Sequence, residues 1–64
     1  MTIYVDQLIN HDREAVSVSN FSSDDPEWEN NHFLIWVPKG NSSEGVRNIV
    51  ANVLRNGGAQ VVVE

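Results

Sequence analysis

The segment 41–64, NSSEGVRNIVANVLRNGGAQVVVE, constrains the fold more than any other part of this chain. Val46, Ile49, Val50, Val53 and Leu54 recur at i, i+3, i+4, i+7 and i+8, which is the apolar stripe of an amphipathic helix. Asn41, Ser42 and Ser43 are all good N-cap residues, and Glu44 stands three after Asn41, the capping-box spacing. Arg55 falls in the last turn, where a cation suits the helix dipole. Gly57 is expected to take the left-handed conformation that ends a helix. Gln60–Val63 then reads as a strand, apolar on both faces.

A helix with one apolar stripe needs a sheet to lie on, and the preceding residues supply one. Residues 2–6 alternate, with Ile3 and Val5 on one face and Tyr4 on the other, so a short strand is expected. Leu8 and Ile9 continue it past a bend; a helical turn over 5–9 is the rival reading. Residues 10–13, Asn-His-Asp-Arg, make a hairpin connection. In 14–21, Val16 and Val18 face one way, while Ala15, Ser17 and Ser19 face a wet or lightly covered side. Residues 32–37, HFLIWV, form a third strand, with Phe33, Ile35 and Val37 on one face and Leu34 and Trp36 on the other. Pro38 and Gly40 stop it.

The expected fold class is α+β: a small mixed four-stranded sheet, in sequence order β-β-β-α-β, with one amphipathic helix packed on one face. Residues 1–64 read as one compact domain, and 22–31 as an acidic loop. The last three elements make a β-α-β unit; if its two strands join one sheet in parallel, the crossover is right-handed. One helix covers one face of such a sheet, so Leu34, Trp36, Val62 and Tyr4 are expected on the other, as an uncovered apolar face.

Sixty-four residues without cysteine exclude a disulfide framework and a cysteine-based zinc site. No apolar run is long enough to span a bilayer, and the first residues lack the basic and apolar regions of a signal peptide. Nine acids against four bases give a net charge of −5, which disfavours nucleic acid and anionic membranes and permits two roles: solubility first, or attraction to a basic surface on another protein.

Catalytic motifs are missing. Gly57-Gly58 follow a helix instead of opening one, so they are no phosphate cradle. His11 and His32 lack the spacing of a metal pair. Pro26 and the absence of a mid-loop glycine argue against calcium in 22–31. The expectation is a non-enzyme without cofactor or metal.

The loop 22–31 is the candidate site. Asp24, Asp25, Glu27 and Glu29 surround Trp28, and no base occurs between Arg13 and Lys39. Spaced carboxylates can pair with the Lys and Arg that grip phosphate, and a Trp among them can anchor in a pocket; such a docking Trp28 is expected to be largely exposed, whereas in a loop that only solvates it folds back beside Trp36. Asp24, Asp25, Glu27, Trp28, Glu29 and Trp36 are the expected partner-binding residues. In size and charge the chain resembles the small acidic inhibitors that phages encode against host defences, anti-CRISPR proteins among them, and the immunity proteins that neutralise bacterial toxins. That resemblance implies a non-catalytic inhibitor docking on a larger protein, such as one that handles nucleic acid; the default setting is the cytoplasm, the host's for a phage-encoded chain. It assigns no residue a role. The alternative is a structural or self-assembling homodimer joined through the uncovered sheet face or through Val61, Val62 and Val63.

Overall fold

The structure, a computed structural model, describes residues 1–10 and 12–64. Its elements are β1 (Thr2–Asn10), β2 (Arg13–Ser19), a 3-10 turn (Pro26–Asn30), β3 (His32–Trp36), α1 (Ser43–Asn56) and β4 (Gln60–Val63). The four strands form one mixed sheet in the order β3-β2-β1-β4. β1–β2 and β2–β3 are antiparallel, and β1–β4 is parallel. The expected α+β class and the β-β-β-α-β sequence of elements are both present.

β1 runs nine residues without a bend, so neither the break after Asp6 nor the helical turn over 5–9 occurs. Seven consecutive pairings with β2, from Tyr4↔Ser19 to Asn10↔Arg13, hold it extended. His11, read from the sequence as a turn residue, lies outside the described residues. β3 and β4 are not neighbours. They occupy opposite edges, and β4 pairs with β1, Ile3 facing Val61 and Val5 facing Val63. α1 therefore crosses the sheet from one edge to the other, and it packs on β1, β4 and β2.

This offset changes which helical residues are buried. Ser43 and Ala51 are buried, and Arg47, Val50 and Leu54 are half-buried. Ile49 and Val53, expected in the core, are each 64% exposed. They stand on the flank of α1 beside β3, which the helix does not cover. The core lies instead on the sheet, where Val5, Ala15 and Val16 are fully buried. β3 is an edge strand, so the continuous apolar run 32–37 is not covered on both sides: Phe33 is 60% and Trp36 40% exposed.

The helix ends also differ in detail from the sequence reading. Ser42, not Asn41, is the N-cap, its Oγ accepting from Gly45 N at 2.9 Å. Gly57 has φ −81°, and it is Gly58, at φ 95°, that adopts the left-handed conformation. Gly58 N then donates to Arg55 O and Ala59 N to Leu54 O, the bond pair of a Schellman ending.

The sheet face away from α1 is not wet. Ser17 and Ser19 are buried beside Ala15. The chain after β2 crosses this face: Ser22 Oγ and Ser23 N both donate to the Glu64 carboxylate at the far end of β4, with β1 lying between. Ser19 Oγ donates to Asn31 O and accepts from Phe21 N, tying both ends of the connection to β2.

Under the N-terminal turn of α1 sits a polar cluster that the apolar periodicity did not signal. Arg47 Nη1 donates to Gln7 Oε1 (2.6 Å), Gln7 Nε2 to Ser43 Oγ (2.9 Å), and Ser43 Oγ to Glu14 Oε1 (2.7 Å). Arg47 Nε is buried without a partner. Gln7 joins both halves of this chain of bonds. Gln7→Leu should therefore cost about 1–3 kcal/mol by stranding buried donors, measured as a lower urea midpoint with unchanged slope.

Candidate partner-binding surface

The acidic connection is an ordered structure with a defined start. Asp25 N-caps the 3-10 turn, its Oδ1 accepting from Glu27 N at 2.9 Å, and Pro26 takes the first helical position, where a missing N–H costs nothing. Asn31 closes the turn: its N donates to Trp28 O and its Nδ2 to Glu27 O. The dipeptide Asp25-Pro26 is the readable signal that the expected loop 22–31 contains a turn.

Three residues per turn separate Trp28 from its acidic neighbours by about 120° on either side. Trp28 turns inward and is half-buried, while Glu27 and Glu29 stay exposed. The indole stacks on the His32 ring with centroids 3.6 Å apart and planes 3° from parallel. His32 Nδ1 also donates to Trp28 O at 2.6 Å. Trp28 thus neither stands free in solvent nor lies beside Trp36. It is stapled to the start of β3, and its burial draws no carboxylate onto an apolar surface.

Asp24, Asp25, Glu27 and Glu29 are all exposed. Trp36, the sixth expected site residue, lies at the other end of β3, with the Arg13 guanidinium 4.2 Å above its ring centroid. Five of the six residues therefore gather around the Trp28–His32 stack at one end of β3, and Trp36 stands apart at the other end. Lys39 lies just beyond Trp36, in a cleft of about 480 Å³ that Asp12, Arg13, Glu14 and Trp36 also line. Charges of both signs meet in that cleft, and no Ser, Cys or His appears among its described lining residues.

A second feature escaped the sequence reading. Between α1 and β3 runs a groove of about 290 Å³, walled by Phe33, Ile35, Ile49, Val50, Val53 and Leu54 with Val18 at its floor. Exposed apolar surface therefore lies on both faces: Phe33, Ile49 and Val53 on the helix side, and Trp36 and Val62, at 40% and 44% exposure, on the opposite one. Among the described residues no cluster of His, Cys, Asp and Glu could hold a metal ion. No described helix is long and apolar enough to cross a membrane. The chain matches no protein-family model, no curated protein and no solved structure.

Proposed function

We propose that this protein is a non-catalytic binding module, an inhibitor that docks its acidic turn on a basic surface of a larger protein. The observation that carries this reading is the pre-organisation of the turn. A loop that only solvates its protein needs no cap, no aromatic staple and no carboxylate clamp, yet this one has Asp25, the Trp28–His32 stack and Glu64. Rigid display lowers the ordering cost of association. Asp24, Glu27 and Glu29 are the recognition charges in this reading, and Asp25 and Trp28 hold them in place. A surface that grips phosphate through Lys and Arg is the natural counterpart, so the partner is of the nucleic-acid-handling kind and the setting the cytoplasm.

The triple variant Asp24→Lys, Glu27→Lys, Glu29→Lys tests it. These side chains are exposed, so the melting temperature should stay close to that of the parent. A partner captured on the immobilised parent at low salt should be lost with the variant. The parent itself should release it as ionic strength approaches 1 M, where screening acts within about 3 Å. Association should slow by about tenfold or more with the variant. Equal capture by parent and variant, or capture indifferent to salt, would remove the acidic turn from any docking role.

A further inference from the structure

β3 has β2 on one side and no described strand on the other. The direction of its free backbone groups follows from one bond. Val37 N donates to Glu14 O at 3.0 Å, and Trp36 faces Ala15, so residues 33, 35 and 37 direct their N–H and C=O groups toward β2. His32, Leu34 and Trp36 direct theirs outward. Nothing along His32–Trp36 blunts this edge: the strand holds no proline, lysine or acid, the residues by which exposed edges avoid pairing.

We infer that this edge pairs with a second copy of the same chain, β3 antiparallel to β3 about Leu34. In that register Leu34 faces Leu34 and His32 faces Trp36 of the second copy. Each such pair consists of outward-directed residues, so each exchanges both of its backbone bonds. A slip of one residue would set inward-directed groups against the copy and lose them. On the helix side, Phe33 faces Ile35 of the second copy, and the two strands together widen the floor of the apolar groove beside Ile49 and Val53.

Charge selects the same partner. The acidic turn adjoins the N-terminal end of β3, while Arg13 and Lys39, with Asp12 and Glu14 beside them, flank its C-terminal end, so the two bases of the second copy are the counterparts open to Glu27 and Glu29. Antiparallel pairing brings Glu27 and Glu29 of each molecule to the Arg13 and Lys39 end of the other, twice per dimer. On the face away from α1, the Trp28–His32 stack meets the Arg13–Trp36 pair of the second copy. This inference does not rest on the docking role of the acidic turn. A five-residue edge is about 17 Å long, so the pairing belongs with small, weak interfaces and is to be read at high concentration.

Sedimentation equilibrium at low salt, up to about 1 mM chain, tests it. The mass should rise from 7.2 kDa toward twice that value. Phe33→Lys, at an exposed position, should weaken dimerisation at least about tenfold. Arg13→Glu with Lys39→Glu should do the same, by setting like charges together. Adding Glu27→Lys and Glu29→Lys to that pair exchanges the two ends and should restore the dimer, which keeps the test decisive even if Phe33→Lys unfolds. A monomer at every concentration, a dimer indifferent to Arg13→Glu with Lys39→Glu, or no rescue by the fourfold exchange overturns the inference.

Discussion

Val5→Asp should leave no folded protein, whereas Ile49→Asp should fold. Val5 is fully buried in β1, between Val18 of β2 and Val63 of β4. A carboxylate there has no cation opposite it, and the effective penalty for burying such an ion is several kcal/mol. A single core in a chain of this size rarely supplies more than about 3–5 kcal/mol, so the penalty wins. Ile49 is 64% exposed, and its carboxylate variant would meet water. The remaining cost is the weaker helix propensity of Asp, a few tenths of a kcal/mol. Far-UV circular dichroism of the two variants decides the matter. An unfolded Ile49→Asp would mean that α1 lies over β3 rather than β1 and β4.

Trp28→Ala should lower stability by about 2 kcal/mol. A fully buried Trp costs roughly 3–5 kcal/mol on truncation, and Trp28 is half-buried. Part of the loss is the His32 stack, about 0.5–1.5 kcal/mol for a well-placed aromatic pair. For a domain of this size the melting temperature should fall by roughly 10 °C. The same variant should weaken partner capture, because the acids lose the frame that holds them. His32→Ala should reproduce much of the stability loss, since it removes the same stack and the bond to Trp28 O. A Trp28→Ala protein melting with the parent would mean that the turn is held by Asp25 and Glu64 alone.

Local periodicity made β2, β3, β4 and the helix readable, because each is written in the spacing of its own apolar residues. The alternation at Val16 and Val18 assigned the helix-facing side of β2, and the run from Val46 to Leu54 located α1. Which strands would be neighbours was not written there. Val61 and Val63 suit β1 or β3 equally by composition, and only the assembled sheet places them against Ile3 and Val5. That placement moves α1 off β3, and the exposure of Ile49, Val53 and Phe33 follows from it. The acids of the candidate site were legible as charges. Their support was not, because the contact of Trp28 with His32 depends on a 3-10 turn whose start, Asp25-Pro26, has the composition of a loop. Gln7 shows the same limit: a polar residue on the apolar face of β1 gives no sign in sequence that Ser43 and Arg47 will meet it.

The parallel seam between β1 and β4 has a kinetic consequence. The β1–β2 hairpin closes over the fewest residues and can form within about 1–10 μs. The seam joins positions 58 apart, as Thr2 and Gln60 are, and it requires α1 to have crossed the sheet first. Its closure entropy is spent before its contacts are made, so the slow search in folding is for this pairing. A strand of four residues that joins late contributes little to the transition state. Weakening it at Val61 speeds unfolding more than it slows folding. The persistence of the native state, as distinct from the ease of reaching it, is thus concentrated in the least extensive strand of the sheet.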